Sequence, residues 1–144
     1  MAQKALTDYM MDWLSDLEGK AARVHPVSGL PIGTLATQPS IAATATAAIQ
    51  TFSQPAKGVR LCLLDGSTAD PDLYVLVAFD PPNTTILADW LDETLVGPRF
   101  RVLANQVLEL NFLDINGVQT TVDSMGYDWP TATAGSSLSV EVVV

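Results

Sequence analysis

The sequence predicts a mainly β chain: an antiparallel β-sandwich or small jelly-roll-like barrel, preceded by an amphipathic helix and an extended arm and interrupted by one short inserted helix. Three observations predict it. From Val59 onward, short β-branched or aliphatic runs recur between turn residues. An Asn-Gly pair joins two of these runs in the manner of a hairpin. Only one stretch in that region has helical spacing, so the strand and helix alternation of a parallel sheet is missing.

The first element is a helix over Ala5–Glu18. Leu6, Tyr9, Met10, Trp13, Leu14 and Leu17 recur at three-four spacing and fall on one face, while Asp8, Asp12, Ser15 and Asp16 take the other. Gly19 follows as a stop, and Lys20 and Arg23 stand where cations favour a helix C-terminus. Val24–Ala56 then runs for 33 residues without an Asp, Glu, Lys or Arg, punctuated by Pro26, Pro31, Pro39 and Pro55. Disordered linkers are normally charged and poor in aliphatics, whereas this stretch holds Leu30, Ile32, Leu35, Ile41, Ile49 and Phe52. Two readings stay open for it: meandering strands of the same sheet, or an arm laid on neighbouring subunits. A division into residues 1–56, helix and arm, and residues 57–144, the β domain, follows from the second.

Strands are expected at Val59–Leu64, Leu73–Phe79, Phe100–Ala104, Val107–Ile115, Val118–Asp123 and Leu138–Val144. Between Ile115 and Val118, Asn116-Gly117 suits a two-residue turn with both central residues at positive φ. Leu108, Leu110 and Phe112 would then face one side, and Glu109 and Asn111 the other. The inserted helix is expected over Thr84–Leu95, where Ile86, Leu87, Trp90, Leu91 and Leu95 share a face and Gly97-Pro98 closes it. The final run, Val140–Val144, needs a pairing partner, inside the chain or on a neighbour, because a bare apolar edge aggregates.

Composition narrows the function classes. Seven basic residues among sixteen acidic ones give a net charge of -9, and no Lys or Arg follows Arg101. Nucleic acid and anionic membranes call for a cationic footprint that this chain does not offer. No stretch approaches the ~18 apolar residues of a membrane span, and the first residues lack the apolar run of a signal peptide. Synthesis and retention in a cytoplasm are expected. The single cysteine, Cys62, lies in an apolar run and reads as a small buried hydrophobe.

Catalytic and metal chemistry find little to work with. The one histidine, His25, precedes Pro26 with no marked nucleophile in the sequence, and one Cys with one His cannot supply a nitrogen and sulfur zinc site. Asp65–Asp72 clusters oxygen-bearing side chains, read as a solvated connection with a calcium loop as the alternative, since the EF-hand order is not matched. No enzyme activity, cofactor or metal is expected. Trp13 and Trp90 lie on apolar helical stripes and read as packing or interface anchors. Tyr127 and Trp129 sit in a loop-like context and are candidates for ligand or partner contact.

An amphipathic N-terminal helix, an uncharged Ala/Thr/Pro-rich arm from Val24 to Ala56 and a Val/Leu-rich β domain together resemble accessory virion proteins of tailed bacteriophages, capsid decoration or cement proteins first among them. The resemblance implies a subunit of a virion's capsid surface, commonly trimeric, that holds a lattice of major capsid protein together. Its partners would be copies of itself and that lattice. Tyr9, Met10, Trp13, Leu14 and Leu17 of the helix, with Leu30, Ile32 and Leu35 of the arm, are the candidate interface residues, since aromatic anchors concentrate interface energy in few side chains. Two other classes fit the same features: a phage tail or head-to-tail connector component, and a soluble carbohydrate- or ligand-binding β-sandwich using Tyr127, Trp129 and the Asp65–Asp72 loop.

Overall fold

The computed structural model describes residues 22–43, 46–64, 73–130 and 135–144. The expected helix at Ala5–Glu18, with Tyr9, Met10, Trp13, Leu14 and Leu17, and the Asp65–Asp72 loop lie outside the described residues. Among the described residues, ten strands and one helix follow in order: β1 (Val27–Ser28), β2 (Leu35–Thr37), β3 (Ile41–Ala42), β4 (Ala48–Ala56), β5 (Gly58–Leu64), β6 (Tyr74–Phe79), α1 (Thr84–Trp90), β7 (Phe100–Leu103), β8 (Val107–Asn111), β9 (Val122–Asp128) and β10 (Ser137–Val143). The chain is mainly β, as its patterning predicts. All strand pairings are antiparallel and form two sheets.

The first sheet runs β1-β8-β5-β10-β2, with β3 also paired to β10, and the second runs β4-β9-β6-β7. Alternation decides the faces. In β5, Val59, Leu61 and Leu63 are fully buried while Arg60 and Cys62 point outward. In β6, Val75, Val77 and Phe79 join the same core as β5, with Val140 and Val142 of β10 and Met125 of β9. One apolar interior therefore lies between the two sheets, and Phe112 fills its middle, fully buried against Phe79 at 4.8 Å between ring centroids.

Several sequence expectations are corrected here. The uncharged segment is not a free arm in its described part, because it supplies β1 to β4 to both sheets. Gln38, 4 % exposed, shows how it is stitched in: its Oε1 accepts the Ser53 N–H at 2.9 Å and its Nε2 donates to Ser53 Oγ at 3.0 Å. This one side chain ties the end of β2 to an irregular stretch of β4, where the register with β9 shifts between Thr51 and Ala56. Phe52 and Ala56, before the expected division at residue 57, share a core cluster with Val59 after it. Cys62 is half-buried on the outer face instead of inside, because Leu61 and Leu63 take the inward positions.

The Asn-Gly hairpin is also built differently. Only Gly117, at φ 76°, has positive φ, and the Asp114 carboxylate accepts the N–H groups of Asn116 and Val118 at 2.8 and 3.0 Å. Gly117 N–H donates to Asp114 O and Asp114 N–H to Val118 O, so the loop has three residues with glycine in the left-handed position. The following strand starts at Val122 instead of Val118. Gln119 occupies the gap, its Nε2 reaching the carbonyls of Lys57, Phe112 and Thr120 at 2.8–3.0 Å.

The Val140–Val144 run finds its partners inside the fold: β10 lies between β5 on one side and β2 and β3 on the other. Among the described residues no helix is long and apolar enough to cross a membrane.

Candidate functional site

A concave feature lies beside α1, on the outer face of the second sheet. Asn83 caps this helix by accepting the Ile86 N–H at 2.8 Å, after Pro81-Pro82 has ended the strand conformation. Leu87, 1 % exposed, packs down with Trp90 and Leu91 onto the outward residues of β6, Leu76 and Ala78. The close seat requires a glycine in β9: a Cβ on Gly126 would lie 2.2 Å from Leu87 Cδ1.

The helix stops at Trp90 with Leu91 as its C-cap, five residues before the expected end at Leu95. The reason is local competition. Asp92 accepts the Thr94 N–H at 2.9 Å and the Thr94 hydroxyl at 2.6 Å, turning the chain where helical bonds would continue. These same bonds hold the exposed Asp92 carboxyl below the usual carboxylate range. Arg99 then reaches back to donate to the carbonyls of Trp90 and Leu95, satisfying the helix end and complementing its negative pole.

Folding the 95–100 loop onto the helix end opens a cleft of about 790 Å³. One wall is α1, through Ile86, Asp89 and Trp90; another is the loop, through Leu95, Val96 and Phe100; the third is the incoming chain, through Ala22, Val24 and His25. The incoming chain is fixed by the His25 N–H, which donates to Leu113 O at 2.7 Å. Val24 and Trp90 are buried in the cleft's walls, whereas Leu95 is 47 % exposed and Val96 fully so. Apolar surface is thus offered at the mouth, with His25, Asp89 and Arg99 as the charged or titratable groups among its lining residues.

A polar clamp holds the neighbouring surface. Arg101 pairs with Glu93 at 2.8 Å and places its guanidinium 4.2 Å from the Tyr74 ring centre. The hydrogen bond to Glu93, aided by partial burial, raises the Tyr74 phenol above its ordinary value. These groups satisfy one another and tie the post-helix loop to β6 and β7. On the first sheet, Arg60 stands between Glu109 at 3.4 Å and Glu141 at 3.9 Å, a row of water-facing pairs.

The sequence candidates are dispersed. Ile32 is 97 % exposed and Leu35 40 % exposed at the edge of the first sheet, with Leu30 partly covered, so the three belong to a surface remote in strand order from α1. Trp129 is 3 % exposed and part of the core, with Tyr127 packed half-buried beside it. Tyr127 lies in β9 and Trp129 just past its end, in the loop-like context expected of it; both rings turn inward, leaving no open aromatic face on Trp129 for a sugar. Sequence reasoning carried the helix to Leu95 and so missed its earlier stop at Trp90 and the exposed Val96 beyond it. The Asp92-x-Thr94 spacing was the signal that could have shown the stop.

Among the described residues no group of three or more His, Cys, Asp or Glu is arranged to hold a metal ion. No protein-family model, curated protein or solved structure matches this chain.

Proposed function

We propose that this protein is a non-catalytic structural subunit of a virion-type shell, acting as a capsid decoration or cement subunit that assembles with copies of itself on a protein lattice. The observation that carries the reading is the strand order. The run β3-β10-β5-β8 in one sheet, facing β4-β9-β6-β7 in the other, follows the eight-strand wiring of two Greek keys, the jelly roll, an architecture of viral capsid subunits that lectins and cupins share. In support, the chain crosses between the sheets at every step from β3 to β10 except the β6-to-β7 connection, which carries α1 and the cleft.

Surface chemistry agrees with assembly. Leu95, Val96 and Ile32 expose aliphatic side chains in connections, where a lone subunit gains nothing from them. The long edges are protected against indiscriminate pairing: β4 carries Pro55 within an irregular stretch, and β1 and β2 are only two and three residues long. Specific contacts through connections, with β1, β2 and β4 poor templates for pairing, suit a subunit that must join one lattice and no other.

The test is light scattering on the purified full chain at micromolar concentration. A stable homo-oligomer, a trimer in the simplest case, is expected. A monomer whose tryptophan fluorescence responds to sugars would refute the assembly reading and favour a binding module.

A further inference from the structure

Two of the chain's seven basic residues, Arg99 and Arg101, converge with Glu93 and Leu76 on a second, smaller pocket of about 270 Å³ on the outer face of the second sheet. We infer that this pocket binds an oxyanion, a phosphate or carboxylate group held between the two guanidinium groups. The inference stands apart from the assembly reading and does not depend on it.

Strand geometry sets the pair. Side chains two apart along an extended chain fall on one side, and Phe100 between them packs against the core, so Arg99 and Arg101 both stand on the outer side. Leu76, 2 % exposed, is the apolar member of the lining. The turn that follows α1, closed by the Asp92 and Thr94 bonds, brings Glu93 to the same pocket.

Charge counting leaves an excess. Glu93 answers Arg101 at 2.8 Å, and the Tyr74 ring centre lies 4.2 Å from that guanidinium. Arg99 has no such answer. Its Nη atoms donate to the carbonyls of Trp90 and Leu95, which fix its position without cancelling its charge, and among the described residues no carboxylate lies within ion-pair distance of it. Asp92 is near enough for Arg99 to help lower its carboxyl pKa, but it does not line the pocket. The described lining therefore carries two cations and one anion, in a chain whose net charge is -9.

Two held cations facing one small space repel, and an anion placed between them replaces that repulsion with attraction. Guanidinium groups suit the task, because their planar forks match the oxygens of carboxylates and phosphates. Both are already positioned, Arg99 by the helix end and Arg101 by Glu93 and Tyr74, so a ligand meets donors that need little further ordering. On Arg101, Nε and Nη1 meet no acceptor among the described residues and stay open to a ligand. Arg60 makes the contrast: it stands between Glu109 and Glu141 and offers no excess charge.

The experiment titrates the isotope-labelled full-length chain at constant ionic strength, with inorganic phosphate in one arm and a hexaglutamate peptide in the other. The Nε–H resonances of Arg60, Arg99 and Arg101, assigned by substitution, are followed by NMR. Arg99 and Arg101 are expected to shift together and to saturate, while Arg60 stays in place. Arg101→Gln, with folding confirmed by circular dichroism, should weaken the binding seen at Arg99 by roughly tenfold or more, and Glu93→Gln should tighten it by removing the competing carboxylate. Tighter binding of hexaglutamate than of phosphate assigns the oxyanion to an acidic side chain of a protein; the reverse order assigns it to a free anion. No shift at Arg99 and Arg101 with either probe, an unsaturated drift that Arg60 matches, or a folded Arg101→Gln chain that binds as tightly as the natural one overturns the inference.

Discussion

Replacing Gly126 with alanine tests how closely α1 is held to the second sheet, and hence how the cleft wall is set. An added Cβ would lie 2.2, 2.7 and 2.9 Å from Cδ1, Cδ2 and Cγ of Leu87. Carbon atoms rest at about 3.5–4.0 Å, so relief requires a shift of about 1 Å or more. Leu87 is 1 % exposed among Leu76, Ala78, Trp90 and Leu91, and has no free volume to turn into. Either Leu87 leaves its rotamer or the helix lifts, at a cost of about 1–3 kcal/mol, the usual range for overpacking. Leu87→Ala alone removes buried side chain and leaves a cavity, at about 2–5 kcal/mol. In the double variant the new methyl enters the vacated space, so the two costs fall short of adding by about 0.5–3 kcal/mol. Urea unfolding followed by tryptophan fluorescence reads all three. A harmless Gly126→Ala, or a double variant whose cost equals the sum, would refute the close seat of the helix.

Other consequences follow from single side chains. Asp80 adopts φ 53° and its carboxylate accepts the Asp123 and Ser124 N–H groups at 2.9 and 3.2 Å; burial raises its pKa, with those two bonds opposing. The folded state therefore binds the proton more readily than the unfolded chain. That contribution is complete below the ordinary carboxylate value and is lost as pH rises through the raised one. Asp80→Asn keeps an acceptor and should flatten this part of the pH profile of thermal unfolding, while Asp80→Ala orphans two N–H groups and should cost about 1–3 kcal/mol at neutral pH; identical acid profiles for Asn and wild type would contradict the argument. For Trp129, whose Nε1 meets no protein acceptor among the described residues, Phe forfeits no protein hydrogen bond and should cost far less than the about 3–5 kcal/mol expected of Ala by chemical denaturation. Gly58→Ala would set a Cβ 2.6 Å from Leu110 O and 2.5 Å from Pro31 Cδ; Leu110 is held by the β5-β8 pairing, so a lowered melting temperature is expected, and an unchanged one would mean that the 31–33 turn is not seated there.

What could be read without coordinates was what depends on near neighbours in the chain. Leu61, Leu63, Val140 and Val142 are inward in the structure because alternating side chains point to opposite faces of any strand, and that alternation is written along the chain. Leu110 and Phe112 inward, with Glu109 outward beside Arg60, follow from the same rule. The start of α1 at Thr84 follows from Asn83 and the two prolines before it. Its end did not, because helical spacing continues to Leu95 and the Asp92–Thr94 turn wins only through competing side-chain bonds. Long-range partners decided the rest. The 33 uncharged residues could run free or pair, and it is Gln38 reaching Ser53, β2 and β3 docking on β10, and β4 docking on β9 that make them part of the sandwiching sheets. Trp129 looks like a loop residue beside Pro130, yet closure of the core over it depends on strands far away in the chain. The cleft likewise exists because Arg99 draws its loop back to Trp90, an arrangement set by contact in space, which no spacing along the chain encodes.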